Sequence, residues 1–162
     1  MKSVYLLRHA KAKKDIPDLP DIERPLMKRG RVDAEQMGLL LKRRGVSFDR
    51  VLCSPALRAR ETVQLLLPFL HFSLRSVEYV DELYPASGEE IQQILSSLKE
   101  GDTVLVCGHN PAIEELAARW AGKVLEKFRT CGCFCARFPI DRWDQLSSSS
   151  PTEWEYFDPD TP

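Results

Sequence analysis

The stretch Val104-Leu105-Val106-Cys107-Gly108-His109-Asn110-Pro111-Ala112-Ile113 changes its periodicity halfway along. Thr103 to Cys107 is a short, β-branched, apolar run and reads as a buried strand. From Pro111 to Ala121 the apolar residues Ile113, Leu116, Ala117 and Trp120 fall at i, i+3, i+4 and i+7, which marks one buried face of a helix. Asn110-Pro111 at the junction reads as an N-cap followed by a first-turn proline.

The same alternation extends over most of the chain. Strands are expected at Ser3 to Leu7, Arg50 to Cys53 and Ser76 to Val80, and helices at Gly30 to Arg44, Pro55 to Leu67 and Gly88 to Lys99. In the last of these, Ile91, Ile94, Leu95 and Leu98 repeat the helical spacing, and Ser54-Pro55 repeats the cap signal. The expected fold class is α/β, a three-layer sandwich whose mostly parallel central sheet carries helices on both faces through right-handed crossovers. Toward the end the pattern changes. Cys131 to Phe138 reads as a strand, Ser147 to Ser150 as a polar turn, and Glu153 to Phe157, alternating at period two, as an edge strand paired with it. Asp15 to Pro25, rich in Pro and Asp, reads as a loop leaving the first strand. Residues 1–162 are expected to form one domain, with 158–162 a frayed tail.

Composition narrows the function classes. Apolar residues make up 43% and charged residues 29%, and 23 Lys and Arg stand against 24 Asp and Glu for a net charge of −1. That balance argues against a broad basic footprint for nucleic acid but leaves room for a local cationic pocket. No apolar run is long enough to span a membrane. The apolar opening Val4 to Leu7 is followed at once by Arg8-His9, too short for a signal-peptide core. The odd count of five cysteines suggests free thiols in a reducing cytoplasm.

In an open α/β sheet, ligands bind beyond the carboxyl ends of the strands. Three polar clusters fall at such ends: Arg8-His9-Ala10-Lys11, Ser54-Pro55-Ala56-Leu57-Arg58 and Gly108-His109-Asn110-Pro111. If their strands are neighbours, two arginines, two histidines and two helix N-termini converge into a cationic site of phosphoryl size. Taken singly, each of these residues would be an ordinary surface or salt-bridging group. Together they suit phosphoryl transfer. A neutral imidazole is a competent nucleophile toward phosphorus, adjacent arginines disfavour its protonation, and guanidinium groups bind phosphoryl oxygens in two-pronged fashion. No metal or other cofactor is needed for that chemistry.

Leu6-Leu7-Arg8-His9-Ala10, Ser54-Pro55-x-x-Arg58-x-x-x-Thr62 and Gly108-His109-Asn110-Pro111, in this order, resemble the three motifs of the histidine phosphatase superfamily, also called phosphoglycerate-mutase-like. The short chain, Ala10 in place of glycine, Arg24-Pro25-Leu26 and Arg29-Gly30 resemble its SixA-type branch. The resemblance implies a phosphohistidine intermediate on His9, with Arg8, Arg58 and His109 holding the phosphoryl group, Asn110 beside them, and Arg24 adding a donor from its loop. It further implies phosphohistidine on a protein, of the histidine-containing phosphotransfer type, as substrate and inorganic phosphate as product. Glu82, just after the third expected strand, is the candidate acid for an ester leaving group. A phosphoramidate, leaving as an imidazole, needs it less.

Other features fit no such role. Cys131, Cys133 and Cys135 lie on one face of a strand, which cannot wrap three thiolates round a tetrahedral ion, so they read as small buried residues. Lys42-Arg43-Arg44 suits the negative end of a helix. Lys11, Lys13 and Lys14 form either a solvated face or an attraction for an acidic phosphoprotein. The rival functions are a phosphomonoesterase acting on a small metabolite, a mutase, and a phosphate-binding module without turnover. No Gly-rich loop of nucleotide-binding spacing follows the first strand.

Overall fold

The computed structural model describes residues 1–14 and 16–162. Asp15, the first residue of the expected loop, lies outside the described residues. The strands are β1 (Lys2–Arg8), β2 (Arg50–Cys53), β3 (Glu78–Tyr79), β4 (Thr103–Gly108), β5 (Cys133–Phe138) and β6 (Glu153–Phe157), and the helices α1 (Lys28–Arg43), α2 (Leu57–Leu66), α3 (Gly88–Ser96) and α4 (Ala112–Ala121). They form a six-stranded sheet of order β3-β2-β4-β1-β5-β6. β1 to β4 run parallel, β5 pairs antiparallel with β1, and β6 pairs antiparallel with β5. This is the expected α/β sandwich.

The central strands are apolar without interruption because helices cover both of their faces. Val4 and Leu6 of β1 and Val104 and Val106 of β4 enter one core with α3, α4 and Trp143. Leu7, Leu105 and Cys107 enter the opposite core with α1 and α2. Cys53, Cys107, Cys131 and Cys133 are buried in that second core as free thiols.

Several boundaries differ from the sequence reading. α2 starts at Leu57 with Ala56 as its cap, because the Ser54 hydroxyl accepts from Ala56 N–H and is also engaged by His109. Pro111, not Asn110, is the cap of α4, although the Asn110 side chain still accepts from Glu114 N–H at 3.2 Å. The first two residues of the expected turn at 147–150 belong to a 3-10 segment, Trp143–Ser148, which buries Trp143 and Leu146. The segment 158–162, expected as a frayed tail, starts from an anchored residue. Asp158 is buried, faces Lys127 and Arg129, and accepts from Thr161 N–H through its main-chain oxygen.

The loop before α1 is pinned against the end of β1. Ala12 bridges Leu26, Lys13 N–H donates to Pro25 O, and Met27 N–H donates to Lys11 O. Gly30 completes that contact, since a Cβ there would lie 2.2 Å from the Lys11 carbonyl oxygen. Gly108 is different, because its Cβ would meet only Ile113 at 3.6 Å, an ordinary contact. Gly30→Ala is therefore expected to destabilise the protein by roughly 1–3 kcal/mol, a fall of about 3–10 °C in Tm at this chain length. Gly108→Ala should change Tm little. Thermal unfolding of both variants checks the difference.

Candidate active site

The sheet order sets β1, β4 and β2 side by side, with Arg8 opposite Gly108 and Cys53 opposite Cys107. The three polar clusters consequently meet at one edge. The Arg8-His9 backbone is held on both sides. Arg8 N–H donates to Gly132 O, His9 N–H donates to Gly108 O, and Cys131 N–H reaches the carbonyls of both Arg8 and His9. Thr62 connects this strand end to α2: its hydroxyl accepts from Ala10 N–H at 3.0 Å and donates to Arg58 O at 2.7 Å. That connection accounts for the spacing of Arg58 and Thr62, one helical turn apart.

His9 and His109 lie with ring centroids 5.0 Å apart. His9 Nδ1 is 2.7 Å from the Ala10 carbonyl oxygen. A carbonyl only accepts, so Nδ1 carries the proton and neutral His9 presents the lone pair of Nε2. Burial pushes the His9 pKa down to about 3, with smaller contributions from His109, Arg58 and Arg8. The arginines thus act as the sequence suggests, but desolvation is the larger cause. His109 Nε2 is 2.8 Å from Ser54 Oγ. Ala56 N–H already occupies a lone pair of that oxygen, so the hydroxyl proton is free to go to Nε2, leaving Nδ1–H as a donor. Burial, then Arg58, lowers the His109 pKa to about 4.

A cavity of about 410 Å³ joins these groups, lined among others by Arg8, His9, Arg24, Arg58, His109 and Asn110. Arg8 Nη1 donates to Phe128 O at 2.8 Å, and Arg58 Nη1 donates to Asp21 O at 2.8 Å. Arg8 Nε, Arg58 Nε and His109 Nδ1 are buried without any acceptor among the described residues. A buried donor left unmade costs about 1–3 kcal/mol. An oxyanion beside His9 offers the acceptors these groups lack. At the N-terminus of α4, two of the amides expected to face the site are already taken, since Ile113 N–H bonds His109 O and Glu114 N–H bonds Asn110.

Glu82 does not line this cavity. The short turn Asp81–Leu83 buries Leu83 in the core and leaves Glu82 exposed. Tyr84 takes the place in the wall that the sequence reading gave to Glu82, its ring centroid 5.3 Å from that of His109. Tyr84 and Asp21 are the site residues that the reading missed. Asp21 accepts from Arg24 Nε at 2.8 Å, from Arg58 Nη2 at 3.1 Å and from the Tyr84 hydroxyl. These bonds, Tyr84 foremost, hold its carboxyl far below the usual carboxylate range. The available signal was the spacing of Asp21 and Arg24, three residues apart. A second cleft of about 580 Å³ also reaches His9 and is lined by Lys11, Lys14, Arg24, Arg29 and Arg129 together with Asp33, the partner of Arg29. Among the described residues no group of three or more His, Cys, Asp or Glu is arranged to hold a metal ion, and no helix is long and apolar enough to cross a membrane.

The model of the histidine phosphatase superfamily (branch 1) matches residues 4–92, more than half of the chain. The chain belongs to that superfamily, a class of phosphatases. The protein histidine phosphatase SixA, solved in complex with tungstate, superposes with a TM-score of 0.81 at 27% identity, covering 97% of both chains. An uncharacterized protein of Mycobacterium leprae is 30% identical over 158 residues, 89% of this chain and 94% of its own length. A mycobacterial glucosyl-3-phosphoglycerate phosphatase, at 13% identity and a TM-score of 0.66 over 98% of both chains, shares the fold. The particular likeness is thus to the SixA type.

Two predictions follow from this geometry. His9 and His109 titrate at about 3 and about 4 against an ordinary 6.5. Because these folded-state values are depressed, the unfolded chain binds more protons between them and 6.5, and the histidines' contribution to stability is full above 6.5 and lost as pH falls. For the reaction, the loss of the His9 nucleophile on protonation should set in only toward pH 3. A limb near 6.5 would reveal an ordinary, solvated histidine. Secondly, Arg58 is 5% exposed and held on α2, whereas Arg24 sits on the loop before α1. Arg58→Ala should lower kcat/KM by roughly 10²–10³ and Arg24→Ala by less. Equal or reversed losses would make the loop residue the main clamp.

Proposed function

We propose that the protein hydrolyses phosphohistidine on a partner protein through a covalent phosphohistidine at His9. In the first step the His9 Nε2 lone pair attacks phosphorus, the N–P bond of the substrate breaks, and its imidazole leaves. Nδ1–H stays on the Ala10 carbonyl throughout, which fixes the tautomer and the ring. In the second step water attacks phosphorus, the bond to Nε2 breaks, and inorganic phosphate and neutral His9 result. Arg8, Arg58 and His109 Nδ1–H meet the charge on the equatorial oxygens, with Arg24 a further donor and Asn110 holding the turn between His109 and α4.

The observation that carries this reading is the absence of a carboxylic acid from the cavity wall among the described residues. Asp21 is the carboxylate there, and three donors keep it ionised, so it is an acceptor. Glu82 lies outside. An alkyl phosphate needs a proton on its departing alkoxide, whereas an imidazole protonated on its distal nitrogen leaves neutral without help. The basic cleft beside His9 supports an acidic protein as the carrier of the phosphoryl group. The likeness to SixA, described as a protein histidine phosphatase, supports the same substrate class.

A panel of a phosphohistidine protein, a phosphoserine protein and an alkyl phosphate metabolite tests the proposal. The expected order of kcat/KM puts the phosphohistidine protein first, and a preference for the metabolite would instead favour a phosphomonoesterase. Wild type quenched during turnover should carry an acid-labile, alkali-stable phosphoryl label, and His9→Ala should carry none and turn over at least 10³-fold more slowly. Full activity in His9→Ala would overturn the covalent mechanism.

A further inference from the structure

Asp21 stands where a phosphatase would be expected to exclude negative charge. It shares the cavity wall with Arg8, His9, Arg24, Arg58 and His109. Its Oδ2 accepts from Arg58 Nη2 at 3.1 Å and from Tyr84, its Oδ1 from Arg24 Nε at 2.8 Å, and its main-chain oxygen from Arg58 Nη1 at 2.8 Å. One loop residue therefore engages both arginines that approach the cavity from the side opposite Arg8. It leaves Arg58 Nε unpartnered, so a phosphoryl group can be gripped while Asp21 stays in place.

We propose that Asp21 is a tethered counter-charge of the phosphate site, which lowers the site's hold on inorganic phosphate and so speeds product release. The proposal rests on the reading of this cavity as a phosphoryl site. Arg8, Arg24 and Arg58 bring three permanent positive charges to one cavity, and Asp21 reduces their sum to two, matching a phosphate dianion. The substrate phosphoryl group, the phosphorylated histidine and the free product are all dianionic. A third net positive charge would bind each of them more tightly without favouring the transition state over any of them. Its main consequence would be to retain the product. Asp21 removes that surplus and at the same time fixes the planes of the two guanidinium groups.

A purely structural Asp21 makes the opposite prediction. If it only holds the arginines in place, weakening it should loosen phosphate binding. In the counter-charge account, losing its charge while keeping its shape should tighten binding. The side chain is 54% exposed, so Asp21→Asn and Asp21→Glu should both fold, which circular dichroism and Tm verify.

The experiment measures the competitive Ki of inorganic phosphate and the KM of the substrate in wild type, Asp21→Asn and Asp21→Glu. Asp21→Asn is expected to lower the phosphate Ki roughly tenfold, modest for a partly solvated unit charge at this range, and to lower KM in the same direction. Asp21→Glu, which keeps the charge, should stay near wild type. An unchanged or raised Ki in Asp21→Asn overturns the proposal. So does a Ki in Asp21→Glu that falls as far as in Asp21→Asn, since that would trace the effect to geometry rather than charge. A wild type that neither binds phosphate nor turns over would instead refute the phosphoryl-site reading on which the proposal rests.

Discussion

Parallel pairing of β1 with β4, and of β4 with β2, brings three strands to an end at one level, and the site depends on that register. Arg8 lies opposite Gly108 and Cys53 opposite Cys107, so each strand delivers its next residues, His9, Ser54 and His109, to the same edge. In an extended strand a slip of one residue would turn every side chain to the other face. The uninterrupted apolar faces of Leu6, Leu7, Val104, Leu105 and Val106, each committed to one of two opposed cores, forbid such a slip. Core packing thereby fixes the geometry of the site, and Ala86, which packs against one core, reaches the cavity wall.

On this frame, burial does more than the arginines to keep His9 neutral. The Ala10 carbonyl takes the Nδ1 proton, and the buried surroundings make a second proton unfavourable. The result is a histidine with one lone pair facing an arginine-rich cavity, and buried donors on Arg8, Arg58 and His109 that lack acceptors among the described residues. A site arranged in this way is incomplete until an oxyanion fills it. Those donors link the geometry of the cavity to the phosphoryl chemistry of its family.

Much of this is legible in the sequence, and the exceptions share a physical cause. The strands and helices follow from apolar period, and the convergence of His9, Arg58 and His109 follows from their places at strand ends. Both are local signals reinforced by topology. The α2 cap moves from Ser54 to Ala56 because the Ser54 hydroxyl is shared between Ala56 N–H and His109, a contact between distant segments. The family resemblance points to Glu82 for its place after a strand, but the turn that buries Leu83 leaves Glu82 exposed and Tyr84 in the wall. Asp21 was missed because its meaning depends on Arg58 and Tyr84, 37 and 63 residues away in the chain. The contacts of Asp158 have the same origin, since it pairs with Lys127 and Arg129 across a loop. Periodicity reports which face of an element is buried, and it is silent on which polar groups meet once the elements pack.

The central claim is that His9 waits as a neutral imidazole with its proton on Nδ1 and its lone pair on Nε2. Nitrogen-15 NMR of the histidine rings in the ligand-free protein at about pH 5.5, below the ordinary histidine value, observes this state directly. The account predicts that His9 and His109 are both neutral at that pH, and that the ring signal lost in His9→Ala shows a protonated Nδ1 and a bare Nε2. An imidazolium at that pH, or a neutral ring with its proton on Nε2, would contradict it.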